Sequence, residues 1–167
     1  LKDQPPLFET LKSTYKYSYS KKAISKYRKF SNIRVIGMGG SILGTEAIYD
    51  FLKKKIKKKL TFVNNLNSNA EYFRDKNINL NLIISKSGNT LETIANANML
   101  IKNRDSNIII TENKDSYLTN LANKLKAEIF EHKNYVGGRY SVLSEVGMLP
   151  AELMDLNEKK FKQFNNL

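Results

Sequence analysis

Within six residues, Ser85-Lys86-Ser87-Gly88-Asn89-Thr90 brings together three hydroxyls, one ammonium and one glycine. The stretch follows an apolar run, Leu80-Asn81-Leu82-Ile83-Ile84, and precedes a helical pattern over 91–101, so it turns a strand end into a helix start. A helix N-terminus presents unpaired N–H groups and a partial positive charge. That combination holds phosphate. Ser85, Ser87 and Thr90 donate hydroxyl hydrogens, the N–H groups of the turn (Gly88 and Asn89 among them) add more, and Lys86 neutralises charge at the mouth. The purely structural use of such a turn is a capping box, which wants Glu or Gln three residues after the serine; Thr90 stands there instead. A monophosphate suits the turn better than a triphosphate, because no neighbouring carboxylate pattern would hold Mg²⁺.

Two further glycine clusters carry reactive types. Gly37-Met38-Gly39-Gly40-Ser41-Ile42-Leu43-Gly44 fails two familiar readings on spacing. The third glycine of a dinucleotide fingerprint is replaced by Ile42, and Asn64-Asn65 stand where an acidic residue should end the next strand. Gly39 to Gly44 has the gap of a P-loop, but Thr45-Glu46 follows in place of Lys-Ser/Thr. What remains is Gly40-Ser41 at a helix start, with Ser41 either capping the helix, facing a ligand, or doing both. Tyr135-Val136-Gly137-Gly138-Arg139-Tyr140-Ser141 sets one arginine on a double-glycine turn. A permanent guanidinium can stabilise a developing oxyanion; its bland use is an ion pair or a helix cap. Gly44 and Gly147 are explained equally well by close helix packing. His132, seven residues before Arg139, reads as a surface or packing histidine.

The elements that must position these turns follow from periodicity. Ile33–Ile36, Leu60–Val63, Leu80–Ile84, Asn107–Thr111 and Ala127–Phe130 read as strands. Ser41–Lys55 reads as a helix with Leu43, Ala47 and Phe51 on one face, and Leu91–Ile101 as one burying Leu91, Ile94, Ala95 and Ile101. Asn69–Asp75 and Leu118–Lys126 complete the helices, and 144–164 is helical with a break expected at Pro150. Leu7, Leu11 and Tyr15 suggest a leading helix, so 1–30 is taken as an N-terminal helical segment and 31–167 as the main domain. Alternation of strands and helices predicts an α/β fold, a doubly wound parallel-sheet sandwich of about five strands. In such sheets ligands bind beyond the carboxyl ends of the strands, where the glycine turns lie.

Composition removes other classes. The absence of Cys excludes disulfide and thiolate chemistry, and a single His argues against a His-based metal site; no metal and no cofactor are expected. No apolar run is long enough to span a membrane, and no signal pattern opens the chain, which fits a cytoplasmic location. Leu1 in place of Met suggests a piece of a longer polypeptide. The formal net charge of +12 raises nucleic acid as a partner. Yet the lysines are scattered apart from the run over Lys53–Lys59, only five arginines occur, and no basic stripe alternates with aromatics. The reading is no nucleic-acid and no membrane partner, with the lysine run as a solvated helix end.

Taken together, Gly37–Gly44, Ser85-Lys86-Ser87-Gly88-Asn89-Thr90-Leu91-Glu92-Thr93 and Val136–Ser144 resemble the glucose-6-phosphate isomerase family, over roughly residues 30–155. The Ser-x-Ser-Gly-Asn-Thr piece alone marks the broad sugar-isomerase (SIS) class; Gly-Gly-Arg-Tyr-Ser is more specific. The resemblance implies that Ser85, Lys86, Ser87 and Thr90 hold a sugar phosphate, with Gly88 and Asn89 in the same turn. It implies that Gly40, Ser41 and Gly138 line the pocket, and that Arg139 stabilises the enediolate between glucose 6-phosphate and fructose 6-phosphate. It also implies a homodimer when full length, and no cofactor. The family's base glutamate, histidine and lysine lie downstream of the Gly-Gly-Arg turn and are absent here; Glu145, Glu152 and His132 do not match them. The isolated chain is therefore expected to lack turnover. A non-catalytic phosphosugar-binding module would share the Ser85–Thr90 turn without needing Arg139.

Overall fold

The structure, a computed structural model, describes residues 5–66 and 77–163. Five parallel strands, β1 (Asn32–Gly37), β2 (Lys59–Val63), β3 (Leu80–Ile84), β4 (Ser106–Thr111) and β5 (Glu128–Glu131), form one sheet in the order β2-β1-β3-β4-β5. The helices are α1 (Lys21–Ser25), α2 (Gly40–Leu52), α3 (Leu91–Leu100), α4 (Tyr117–Leu125) and α5 (Glu145–Leu153). The central strands are Ile/Leu/Val-rich because both faces are covered. Val35, Leu82 and Ile108 join Ile42, Ile48, Val146 and Leu149 of α2 and α5 on one face, whereas Ile36, Ile83 and Ile109 pack with Ala97, Leu100 and Leu118 of α3 and α4 on the other. This is the doubly wound sandwich expected. The helix expected over Asn69–Asp75 lies outside the described residues.

Four local readings change. The leading segment holds two short turns, a 3-10 turn at Pro6–Leu11 and α1, with an extended stretch between them. In that stretch Tyr15, Tyr17 and Tyr19 follow one another as packed rings. Tyr15 donates to Glu145 and Tyr19 to Glu152, which ties the segment to α5. Secondly, α5 runs through Pro150 without a break. The carbonyl of Val146, which the missing proline N–H would have served, accepts from the Thr45 hydroxyl at 3.0 Å.

Thirdly, the stripe Leu43-Ala47-Phe51 faces solvent, and α2 buries Ser41, Ile42, Thr45 and Ile48 instead. The helix is turned this way because Gly44 lies against Val142, letting α2 close on α5. Gly147 also sits against Val142, so both glycines serve packing. Fourthly, α3 buries Thr93, Asn96, Ala97 and Leu100 and leaves Leu91 exposed. Its inner face meets a polar layer that the apolar pattern could not reveal. Arg34, Asn81 and Asn107 stand in register on β1, β3 and β4. Arg34 donates to Asn81 Oδ1 and to the Leu100 carbonyl, and Asn81 donates to Asn107 and to Asp105.

Candidate phosphate site

The chain leaves β1 for β2 on one side, while β3 lies on the other. This reversal of strand order opens a crevice beyond the carboxyl ends of β1 and β3. Gly37 and Ile84 are register partners, so the turns after β1 and β3 emerge side by side. The fold itself therefore brings the first two glycine clusters together.

In the turn after β3, Ser85 is buried and its hydroxyl organises the loop. It lies 2.8 Å from Thr90 Oγ1 and 3.4 Å from Ser87 Oγ, and accepts from Gly88 N at 3.2 Å. Ser87 Oγ accepts from Asn89 N. Thr90 occupies the N-cap position of α3, yet its hydroxyl turns to Ser85 and no side chain caps the helix. The first N–H groups of α3 therefore face the turn without a side-chain acceptor. The start of α4 is treated oppositely: the Gly88 carbonyl accepts from Leu118 N, and Asn89 Oδ1 accepts from Tyr117 N. Gly88 has φ +71°, and a Cβ there would overlap Ser116. Gly88 and Asn89 thus brace the turn against α4, while Ser85, Ser87 and Thr90 gather hydroxyls on its other side. Lys86 Nζ donates to the Asn134 carbonyl at 2.7 Å and lies 3.7 Å from Glu112. Hydrogen bonding from Lys114, with Lys86 adding to it, holds the Glu112 carboxyl below its ordinary range.

The turn after β1 is capped by Gly39, at φ 52°, and Ser41 sits inside the first turn of α2. Ser41 is therefore not the N-cap that its position in the sequence allowed. Its hydroxyl has no hydrogen-bond partner among the described residues. Gly40 carries the third cluster: a Cβ on it would run into the carbonyl of Gly138 and the amide of Arg139. Only glycine lets the two backbones approach this closely. Ser141, which stands in the Gly-Gly-Arg-Tyr-Ser motif but was not among the expected site residues, locks the approach by donating to both Gly40 O and Gly138 O. Arg139 is exposed and makes no hydrogen bond or ion pair among the described residues. The three turns are thereby linked in a ring: β1 to β3 by register, 85–90 to Asn134 through Lys86, and 138–141 to Gly40 by contact.

The two nearby glutamates are engaged by the N-terminal segment. Glu145 accepts from Tyr15 OH and from Ser18 N, and Glu152 accepts from Tyr19 OH. His132 is buried; burial pushes its imidazole below the ordinary value, and Nδ1 lies 3.2 Å from the Lys133 carbonyl. Its Nε2 is buried without a hydrogen-bond partner among the described residues. Among the described residues no group of three or more His, Cys, Asp or Glu is arranged to hold a metal ion. No described helix is long and apolar enough to cross a membrane.

Comparison with known proteins gives a consistent result. A family model described as phosphoglucose isomerase matches residues 9–166. The chain is 39% identical over 141 residues to a glucose-6-phosphate isomerase of Methanocaldococcus jannaschii, covering 76% of this chain and 34% of that protein. It is 37% identical over 139 residues to one of Borreliella afzelii, covering 73% and 26%. The chain thus spans about a quarter to a third of the length of these relatives. Among solved structures, a hypothetical protein from Thermus thermophilus superposes with a TM-score of 0.71 at 23% identity, covering 85% of this chain and 38% of that one. Escherichia coli tagatose-6-phosphate ketose/aldose isomerase gives 0.63 at 18%, covering 85% and 42%. The Vibrio vulnificus NanR protein complexed with ManNAc-6P gives 0.56 at 20%, covering 81% and 53%.

Proposed function

We propose that this chain, which belongs to the phosphoglucose isomerase family, is the phosphate-holding part of an enzyme that interconverts glucose 6-phosphate and fructose 6-phosphate. The phosphate rests on the hydroxyls of Ser85, Ser87 and Thr90, on Lys86 and on the uncapped start of α3; Gly40, Ser41 and Gly138 form the adjoining wall. A fold neighbour solved with ManNAc-6P supports a phosphosugar as guest. Aldose–ketose exchange moves a proton between C1 and C2 through an enediolate, whose oxygens gain negative charge. The Arg139 guanidinium supplies the fixed positive charge that stabilises it. The family resemblance implies that the base glutamate lies downstream of the Gly-Gly-Arg turn; Glu145 and Glu152, which follow it closely, are engaged by tyrosines.

The observation that carries this reading is the exposed Arg139, without a side-chain partner among the described residues and held on the Gly138 backbone against Gly40. A module that only binds phosphosugar has no use for an exposed guanidinium without an ion pair among the described residues beside the crevice. Calorimetric titration with glucose 6-phosphate tests the site. Ser87→Ala combined with Thr90→Ala removes two charge-assisted hydrogen bonds and is expected to cost roughly 3 kcal/mol, about a hundredfold in affinity. Unchanged affinity would place the phosphate elsewhere. The 167-residue chain is expected to bind without turnover; measurable isomerisation by it would refute the assignment of the base to other residues.

A further inference from the structure

Between β5 and the Arg139 turn the chain crosses the sheet. β5 is an edge strand, whereas Gly138 packs on Gly40, which follows β1, so residues 132–138 pass the carboxyl ends of β4 and β3. The crossing is tied down one strand end at a time. At the end of β4, the Thr111 carbonyl accepts from His132 N at 2.8 Å. From the turn after β3, Lys86 Nζ donates to the Asn134 carbonyl at 2.7 Å. After β1, the Gly40 carbonyl accepts from the Ser141 hydroxyl at 3.1 Å. Val136 is buried between the last two ties in sequence. Lys133 Nζ donates to the Lys16 carbonyl at 2.6 Å, which adds a tie to the N-terminal segment. Of these ties only that of Lys86 comes from the phosphate turn.

Neutralising a phosphate asks only for an ammonium nearby, whereas a hydrogen bond to a carbonyl demands direction. Lys86 meets the second demand on the loop that leads to Arg139, five residues before it. Its stem is half-buried, and Glu112 Oε1, 3.7 Å away, keeps the ammonium beside the end of β4. An ammonium has three N–H donors. One meets Asn134, which leaves donors for an anion in the turn. We infer that Lys86 is a positioning residue for Arg139: it joins the seated phosphate to the 132–138 crossing and so fixes where the guanidinium stands. The inference rests on the reading that the 85–90 turn holds the phosphate and that Arg139 meets the enediolate.

The test is calorimetric titration of the 167-residue chain with inorganic phosphate, glucose 6-phosphate and arabinonate 5-phosphate. The last keeps the phosphate and the hydroxyl chain but carries a carboxylate in place of C1 and C2, and so bears the charge an enediolate gains. The wild type should prefer it to glucose 6-phosphate by about tenfold, and Arg139→Met should remove most of that preference. Lys86→Met keeps the apolar stem without the ammonium and should remove most of it too, with any further loss shared by all three ligands. In the double variant the preference should fall no further than in Arg139→Met, as for two residues acting as one unit. Lys86→Gln, one atom shorter and polar, gives the same reading should Lys86→Met fold poorly. Equal loss of all three ligands with the preference intact would overturn the inference and leave Lys86 a charge for the phosphate. Additive losses of preference in the double variant would also overturn it, because a direct pull of the ammonium on the carboxylate adds to that of Arg139. Unchanged affinities in Lys86→Met would overturn it as well. A wild type without the preference, or an Arg139→Met variant that keeps it, would instead overturn the reading of Arg139, and the inference with it. Inorganic phosphate binding unaffected by Ser87→Ala with Thr90→Ala would overturn the reading of the turn.

Discussion

Arg34 and Arg139 stand toward opposite ends of the same sheet and are treated in opposite ways. Arg34 is 1% exposed and lies in a network in which Asn81, Asp105, Asn107 and the Leu100 carbonyl meet polar group with polar group. Arg139 is exposed, rides on a glycine turn and has no partner among the described residues. Buried charge is tolerated only when it is paired and hydrogen-bonded, so the amino-end network is a closed structural unit. At the carboxyl end the turns after β1 and β3 emerge side by side with hydroxyls and an uncapped helix start, and Arg139 stands exposed on a backbone packed against Gly40, its side chain without a partner among the described residues. A group whose bonding capacity is consumed by the fold supports the fold, and a group held in place with that capacity unspent is available to a ligand.

The sharpest way to break that contrast is to unpair the buried end. Arg34→Met leaves the Asp105 carboxylate buried, its side chain 0% exposed, without the cation 3.9 Å away. This should cost about 3–5 kcal/mol in urea unfolding. Arg34→Met with Asp105→Asn should recover part of the loss, because no unpaired charge remains. A single-variant cost below about 1 kcal/mol would show that the network is not the closed unit described.

At the other end the expected damage is smaller and asymmetric. Gly40→Ala puts a Cβ into the Gly138 carbonyl, backbone against backbone, where no side chain can swing away. Overpacking of this kind costs about 1–3 kcal/mol. Gly138→Ala points its Cβ at open space, with the nearest atom, Gly40 Cα, 4.0 Å off, and should stay within about 0.5 kcal/mol. Equal tolerance of the two substitutions in thermal melts would mean that the Arg139 turn is not positioned by this approach.

How much of this was readable in advance depended on the kind of signal. The β-branched runs marked all five strands to within a residue or two, because continuous apolar stretches bounded by glycines and polar turns have few other uses. The glycine clusters marked the crevice, since glycine placement reports backbone constraint directly. Leu43-Ala47-Phe51 and Leu91 with Ile94 satisfy helical spacing, yet the first stripe and Leu91 face solvent while Ile94 and Ile101 pack against the core, because spacing does not say which stripe meets the sheet. Gly44 against Val142 decides it for α2, and the Arg34 layer beneath α3 decides it there. Pro150 looked like a break because the compensating donor, Thr45, lies on another helix. Ser141 was visible in its motif, yet its double donation to Gly40 and Gly138 needs the fold to bring those carbonyls together.

His132 tests whether the neighbourhood of the crevice is closed beneath its surface. Lys86, Glu112 and Glu145 all act on it electrostatically, and burial is the largest influence on its proton affinity. Because its folded-state value lies below the ordinary 6.5, the unfolded chain binds the proton more readily. Stability should therefore fall as pH drops through that value, by no more than about 1.4 kcal/mol per pH unit. Above it the contribution is flat. His132→Gln should remove this slope between about pH 6.5 and pH 5, above the range in which ordinary carboxylates titrate. A wild-type curve that is flat there would mean the ring is reached by water.

Of the two arginines Arg139 has the smaller expected stability change, and its smallness carries the contrast. If this guanidinium is held for a ligand, its removal costs the fold nothing beyond a surface substitution, so Arg139→Ala should alter unfolding free energy by no more than about 0.5 kcal/mol. A positive group is also lost from a chain of net charge +12, which if anything relieves repulsion. In the complete enzyme the same variant should lower kcat more than it raises KM, because an enediolate gains charge that the ground-state sugar lacks. A rise in KM with kcat unchanged would make Arg139 a binding residue for the ground state. A stability loss as large as that of Arg34→Met would remove the distinction between the two ends of the sheet, because Arg139 would then be held by the fold after all.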